Sequence, residues 1–275
     1  MSVRVHHLNC GTMCPVCARL VNGRGGWLEA AQMVCHVLLI ETPKDGLVLV
    51  DTGIGMTDIN RPSGLGKPFL ALTRPRLDPH EAAIAHVERL GFRADDVRHI
   101  IVTHLDLDHA GGLPDFPKAQ VHVFAAEHAA AMKPDWRSNA RYLPQHWAHS
   151  PRWTLHDSNG GERWFGFDNL HPIPGLSEDI LMVPLIGHTR GHCGIAVRTD
   201  NGWILHCGDA YFFHGQMDPA HPHHTPAMAL FEKIVQTDKA ARLQNLGRLL
   251  DLSRQHGGEV KLFCAHDPVE LARFA

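Results

Sequence analysis

No apolar run in the chain reaches the roughly 18 residues that would indicate a membrane-spanning helix. Residues 1–7 lack the charged and then apolar layout of a secretory signal. No dense block of Lys and Arg occurs, and the net charge of −3 offers no basic face to a nucleic acid or an anionic membrane. These absences predict a cytoplasmic protein that acts on a small molecule, with no nucleic-acid and no membrane partner.

Cysteine is present in an odd number, seven, so at least one thiol lies outside any intrachain disulfide. This count fits a reducing compartment better than a disulfide framework. Cys10, Cys14 and Cys17 have a spacing that can hold an iron–sulfur cluster, but no fourth cysteine is evident. We interpret them as part of a turn after the first strand, with their role left open.

The chain has no internal repeat and no Gly-, Ser- or Pro-rich linker, so residues 1–275 are predicted to form one domain. Helical patterns at 79–91 and 226–256 lie between short apolar runs that are typical of buried strands. This mixture predicts an α/β domain of layered sheets. The predicted strands are 34–40, 47–50, 99–102, 120–124, 180–186, 194–197, 203–206 and 260–264.

Two stretches, 55–78 and 134–174, have poor periodicity and are rich in Gly, Pro, Trp or His. Long loops of this kind are usually functional lids or disordered segments. We interpret both as insertions that cover a substrate. The alternative is that their aromatic residues pack on the flank of the domain, or that Phe69 and Leu72 belong to a homodimer interface.

Four potential metal ligands follow the predicted strand 99–102 within six residues. His104, Asp106 and Asp108 occupy alternate positions and can converge on one side, and His109 enters from the adjoining turn. Gly111-Gly112 lets the backbone pass close to such a site. The group is too large for one open catalytic ion with three protein ligands, so the sequence predicts two metals.

Three further candidate ligands each follow an apolar run. His188 comes after 181–187, Asp209 after 204–208, and His266 after 260–265. Repeated junctions of this kind are unlike the scattered positions of surface histidines. We therefore expect the three side chains to meet the 104–109 segment.

This ordered set resembles the metallo-β-lactamase superfamily, whose signature is His-x-His-x-Asp-His followed by a His, an Asp and a final His. The run 47–53, which ends in Asp51-Thr52-Gly53, is similar to the early strand and turn of that family. The resemblance covers most of the chain and is closest in outline to N-acyl homoserine lactonase-like members. It implies a four-layer αββα sandwich with metals in a groove at one sheet edge.

The resemblance also implies the role of each candidate. Asp51 would support the turn rather than bind metal, and the histidines at 192 and 206 would support the ligands. His104 and His188 would bind one ion, Asp108, His109 and His266 the other, and Asp209 would bridge them.

Asp106 departs from the family signature, which has histidine in this place. A carboxylate adds negative charge and hard oxygen character, so it favours Fe or Mn relative to an all-imidazole Zn site. The flavodiiron branch of the superfamily carries a similar substitution, which leaves a non-haem di-iron oxidoreductase as an alternative function. Asp106 is predicted to be a ligand, although it could instead turn away from the site.

The leading prediction is a hydrolase of a small ester, lactone or thioester that works through a metal-bound hydroxide. Metal binding lowers the pKa of such a water toward about 7. Asp108 is predicted to orient the nucleophile and to pass a proton to the leaving group. Tyr211 is a candidate hydrogen-bond donor to the substrate oxygen, with an ordinary buried aromatic as the alternative. A metal-binding protein without turnover is a third hypothesis.

Overall fold

The computed structural model describes residues 3–136, 138–157 and 161–274, apart from the side chains of Asn169 and His171. Its first sheet has six strands in the order β1-β2-β3-β4-β5-β6. The first three strands are antiparallel, and β3 to β6 run parallel. Residues 33–40 of β2 are all buried, as expected for a strand covered on both faces. The strands are β1 (Arg4–Met13), β2 (Met33–Thr42), β3 (Gly46–Val50), β4 (Val97–Ile101), β5 (Gln120–Phe124) and β6 (Arg152–His156).

A second sheet, also of six strands, has the order β12-β11-β10-β9-β8-β7. Its strands alternate in direction except β11 and β12, which are parallel. Consequently β9, β11 and β12 all end at the same edge of the sheet. The strands are β7 (Glu162–Trp164), β8 (Phe167–Pro172), β9 (Ile180–Pro184), β10 (Cys193–Thr199), β11 (Gly202–His206) and β12 (Val260–Phe263).

Most of the α-helices are short, and the longest is the amphipathic helix that precedes β12. Among the described residues, no helix combines the length and the apolar character needed to cross a bilayer. The helices are α1 (Ala18–Val21), α2 (Met56–Asn60), α3 (Lys67–Thr73), α4 (Ala83–Arg89), α5 (Leu107–Ala110), α6 (Ala125–Met132), α7 (Pro226–Val235), α8 (Lys239–His256) and α9 (Pro268–Leu271).

The two sheets pack face to face, with helices on both outer faces. Val50 and Ile101 of the first sheet meet Ile195 and Phe263 of the second in the central core. Helix α4 covers the outside of the first sheet, and α8 covers the outside of the second. The predicted αββα sandwich is therefore confirmed.

The structure differs from the sequence predictions for the helix at 226–256, the insertion at 134–174 and the position of Cys10. The pattern at 226–256 is two helices, because Thr237 and Asp238 leave the helical path and donate their backbone N–H groups to the carbonyl oxygen of Gly187. The segment 134–174 is not a loop-like cover throughout, because β6, β7 and β8 belong to the sheets. Cys10 lies within β1 rather than in a turn after it.

Candidate metal centre

The residues of the predicted site gather where strands end. Asp51 follows β3, His104 follows β4, and Asp209 and His266 follow β11 and β12. Carboxyl ends of parallel strands are the usual place for sites in α/β sheets. The imidazoles at 104, 109, 188 and 266 and the carboxylate of Asp209 are all buried there.

One cluster consists of His109, His266 and Asp209. Nε2 of His109 lies 3.3 Å from Nε2 of His266, so two imidazole nitrogens face each other in the interior. Oδ1 of Asp209 lies 3.3 Å from the first of these nitrogens and 3.1 Å from the second. The three ligand atoms lie within 4.8 Å of one another and could hold an ion.

A second cluster shares Asp209 and adds His104 and His188. Oδ2 of Asp209 lies 3.7 Å from Nε2 of His104 and 3.4 Å from Nε2 of His188. Asp209 thus turns one oxygen toward each pair of histidines. This is the arrangement expected of a carboxylate shared by two metal positions.

The hydrogen bonds of His109 and His266 engage Nδ1 and leave Nε2 turned toward Asp209, whereas Nε2 of His188 contacts Asp106 and Arg141. Nδ1 of His109 is held 2.8 Å from Oδ2 of Asp51, and Nδ1 of His266 donates to the carbonyl of Val34 at 2.7 Å. Among the described residues, Nε2 of His104 is a buried atom without a hydrogen-bond partner. Ligating histidines usually have their other nitrogen fixed in this way, so the residues fit a metal.

Asp51 holds the loop rather than joining either cluster. It accepts hydrogen bonds from the backbone N–H of Thr103 at 2.7 Å and from its hydroxyl at 2.8 Å. Burial alone would raise the pKa of Asp51, but His109 lowers it below the usual value. The neighbouring Gly53 has φ 64°, and a Cβ there would lie 2.1 Å from the carbonyl oxygen of Cys10. Only glycine fits this turn.

The electrostatics of the site favour a cation. Burial would raise the pKa of Asp209, but His266, His109 and His188 hold it well below the usual range. Burial would likewise lower the pKa of His109, whereas Asp209 and Asp51 raise it well above its ordinary value. The carboxylate of Asp209 therefore stays ionised between the two groups of imidazoles.

Asp108 and Cys35 lie at the side of the His109 cluster. Oδ2 of Asp108 is 3.6 Å from Nε2 of His266. Asp108, His266 and the buried thiol of Cys35 form a third group of ligand atoms within 4.8 Å of one another. The structure thus brings Asp108 to the site, together with a buried cysteine of β2.

Asp106 lies against the second cluster but is paired with an arginine. Its Oδ2 is 3.0 Å from Nε2 of His188 and 3.4 Å from Nε2 of His104. Both carboxylate oxygens also accept hydrogen bonds from Arg141. The role of Asp106 as a ligand therefore stays a prediction, and the structure adds that Arg141 is the counter-ion of its carboxylate.

The hydroxyl of Tyr211 is bonded to Glu270 in this structure, and its role as a catalytic hydrogen-bond donor stays a prediction. The ring is fully buried, and its hydroxyl donates to the two carboxylate oxygens of Glu270, 3.1 Å from each. Burial and the carboxylate together raise the pKa of Tyr211 well above the usual value. These contacts agree with the alternative interpretation, a buried aromatic residue.

Two residues that position the site were missed in the sequence. Arg141 contacts Asp106, and the buried Glu127 accepts hydrogen bonds from the backbone N–H of Leu105 and of Gly191, each at 3.0 Å. Glu127 thereby ties the loop after β4 to the loop after β9. A lone acidic residue in the apolar run 125–132 was the signal for it.

His192 supports Asp209 without joining the clusters. Its Nδ1 donates to the carbonyl oxygen of Leu185, and its Nε2 accepts the backbone N–H of Asp209, each at 2.8 Å. Both ring nitrogens are therefore used, which fixes the loop that carries the shared carboxylate.

An apolar wall adjoins His266. The ring of Phe212 stacks on the imidazole at 5.5 Å between centroids. A small depression beside this stack is lined by the apolar residues Val21, Met33, Phe212 and Met228, and by His266 together with polar residues that include Arg24 and Asp267. The site therefore combines a buried polar cluster with a neighbouring apolar surface, a common composition of small-molecule sites.

Comparisons with known proteins agree with this geometry. Residues 31–243 match the model of the metallo-β-lactamase superfamily. A probable metallo-hydrolase of Mycobacterium tuberculosis is 42% identical over 275 residues, which cover 98% of this chain and 83% of that protein. The N-acyl homoserine lactonase AttM of Agrobacterium fabrum is 27% identical over 201 residues, 72% of each chain.

Site and comparisons together define a metal-dependent hydrolase. The chain belongs to the metallo-β-lactamase superfamily. Among solved structures, an N-acyl homoserine lactone hydrolase with N-hexanoyl-L-homoserine at its catalytic metal centre aligns with a TM-score of 0.73 and 20% identity, covering 99% of this chain and 97% of that one. This likeness confirms the fold.

Proposed function

We propose that the chain is a dinuclear-metal hydrolase that cleaves a small lactone or a related ester or thioester. The observation that carries this proposal is the placement of Asp209, which turns one carboxylate oxygen toward each pair of histidines. Relatives named as N-acyl homoserine lactonases support lactones as the first substrates to test.

Each of the two clusters would supply the ligands of one proposed ion. Bound divalent ions would supply an activated water and positive charge for the oxyanion that develops at the substrate carbonyl. Asp108, at the side of the His109 cluster, is placed to orient the attacking water. Its carboxylate would then carry a proton to the leaving oxygen. His104 and His188 would hold one ion, His109, His266 and Asp108 the other, and Asp209 both.

The apolar wall indicates which part of the proposed substrate would lie beside His266. Phe212, Met33 and Met228 are buried apolar residues that line a small depression beside His266. An acyl group on this surface would leave the carbonyl near Asp209. We therefore propose an acylated lactone or ester with an apolar chain as the substrate class.

The test is a hydrolysis assay on a series of acyl lactones, esters and thioesters with purified enzyme of known metal content. Asp209→Asn should reduce kcat/KM by more than about 100-fold, since loss of even an outer partner of a metal ligand costs 10- to 100-fold. Asp251→Asn, at an exposed carboxylate of α8, is the control and should keep wild-type activity. Wild-type turnover by Asp209→Asn would refute the proposed site.

Asp106 favours one competing function, a di-iron oxidoreductase of the same fold. Its oxygen lies near His104 and His188, and carboxylate oxygen suits Fe or Mn better than imidazole does. Protein loaded with iron would then show an absorbance that changes on reduction, and it would cleave none of the tested lactones or esters. Hydrolysis by the Zn- or Mn-loaded protein would reject this alternative.

A further inference from the structure

Arg141 forms a bidentate ion pair with Asp106 through two parallel hydrogen bonds. Its Nε donates to Oδ1 at 2.7 Å, and its Nη2 donates to Oδ2 at 2.5 Å. Nη1 donates to the backbone carbonyl oxygen of Val235 at 3.0 Å, which fixes the guanidinium from a second direction. Bidentate pairs of this kind are the strong and geometrically specific form of an ion pair.

The pair lies directly against the histidines of the second cluster. Nη2 of Arg141 is 2.8 Å from Nε2 of His188, and Oδ2 of Asp106 is 3.0 Å from the same atom. The side chains of Arg141 and Asp106 are only 16% and 11% exposed, so water screens their charges poorly. The charge of Arg141 therefore acts on the site.

The charges of the pair explain why both residues are present. Where the superfamily signature has a neutral imidazole, this chain has a carboxylate with one negative charge. The guanidinium cancels that charge and leaves the lone pairs of Oδ2 that it does not use directed toward His104 and His188. An unpaired carboxylate or guanidinium in this buried place would be strongly unfavourable.

We propose that Asp106 and Arg141 act as one neutral unit in place of the second imidazole, with Arg141 as the positioning residue that aims Asp106 at the His104–His188 cluster. The inference rests on the proposed dinuclear site only for its metal-binding part. It has an unusual consequence: restoring the family histidine alone should damage the site. In Asp106→His, the guanidinium would lose its partner and repel a cation beside His188.

The first experiment uses metal-free protein, so it does not depend on the proposed function. Asp106→His and Arg141→Gln should each lower Tm by about 5 °C or more, because each leaves a buried charge without its partner. The double variant Asp106→His/Arg141→Gln should recover most of the loss, because both charges are gone. Single effects that simply add in the double variant would overturn the proposal.

The second experiment measures zinc affinity by competition with a chelator. Asp106→His should bind the more weakly held ion at least about tenfold less tightly, and the double variant should return to near the wild-type value. Arg242→Gln is the matched control, because Arg242 is a buried arginine paired at 2.8 Å with Glu232, which is no candidate ligand. This control should lower Tm without changing zinc affinity.

The outcomes separate the two proposals. A wild-type protein that binds no ion would refute the dinuclear site, while the metal-free Tm cycle would still decide whether the pair acts as one unit. Zinc affinity in Arg141→Gln equal to that of the wild type would refute the role of Arg141 in positioning Asp106, and unchanged affinity in Asp106→His would refute the predicted repulsion by the unpaired guanidinium. A similar change in zinc affinity in the Arg242→Gln control would show that the effect comes from a general loss of stability, and it would overturn the positioning role of Arg141.

Discussion

The backbone of Asp51 is strained, and its side chain contacts His109, a predicted metal ligand. Its φ of 59° is a left-handed conformation, which costs a non-glycine residue of order 1–3 kcal/mol and persists only where the surroundings enforce it. Hydrogen bonds from Thr103 and His109 enforce it here. Because these bonds fix the imidazole of His109, the strain belongs to the construction of the metal site.

Glu270 is a second residue with an unfavourable environment, because its carboxyl group is buried. Burial raises its pKa to about 7, although the backbone N–H of Cys264 donates to it at 2.7 Å. The folded protein therefore holds this proton at pH values where the unfolded chain has released it. As the pH rises from about 4.5 toward about 7, Glu270 makes the folded state progressively less stable, and above that range its effect is constant.

The variant Glu270→Gln tests this assignment. Glutamine cannot ionise, so the part of the pH dependence of Tm that comes from Glu270 should disappear. Compared with the wild type, the variant should lose less Tm between about pH 5 and about pH 7.5, as thermal melts at both values would measure. An identical pH profile for both proteins would contradict a raised pKa at Glu270.

At the scale of elements, buried polar contacts connect segments that the sequence leaves separate. Asp58 of α2 accepts a hydrogen bond from Nε2 of His146 at 2.8 Å and another from Gln145 at 2.8 Å. Asp58 and His146 are both fully buried. The two predicted insertions, 55–78 and 134–174, are therefore joined through this contact.

Asp58→Ala should cut that connection and leave the imidazole of His146 buried without its acceptor. The loss should lower the free energy of unfolding by about 2 kcal/mol, a typical cost of an unsatisfied buried polar group. Urea denaturation provides the measurement. Asp95→Ala, which removes an exposed carboxylate paired with Lys118, should change stability little. Equal losses in both variants would argue against a special role for the buried contact.

Apolar patterning predicted most strands, including the edge strand β12, but it missed β6, β7 and β8. The runs at 34–40, 47–50 and 120–124 are buried and correspond to β2, β3 and β5. Strands β6 and β7 lie at sheet edges, where partial exposure permits polar residues and leaves no apolar run. Their stretch therefore looked like a loop, although it forms part of the sheets.

Most of the candidate site could be read from the chain because its members follow apolar strands. His188, Asp209 and His266 each come directly after one, and the structure brings them together. Arg141 could not be found in this way. It lies in a segment without periodicity, 35 residues from its partner Asp106, and only the folded chain brings the two charges together.

At the scale of the whole molecule, the loops that follow the strands bring a buried cluster of histidines and carboxylates next to the apolar wall that includes Phe212. Family membership agrees with a hydrolytic role for this site. The number of ions, their identity, the cytoplasmic location and a homodimer stay predictions.

Elemental analysis of protein expressed in medium with balanced Zn, Fe and Mn tests the central claim most directly. We expect about two ions per chain, removed by a chelator and restored on adding metal back, because Asp209 turns one oxygen toward each of two histidine pairs, as the proposed dinuclear site requires. Asp209→Asn should retain fewer ions than the wild type. Fewer than one ion per wild-type chain under all loading conditions would contradict the dinuclear site.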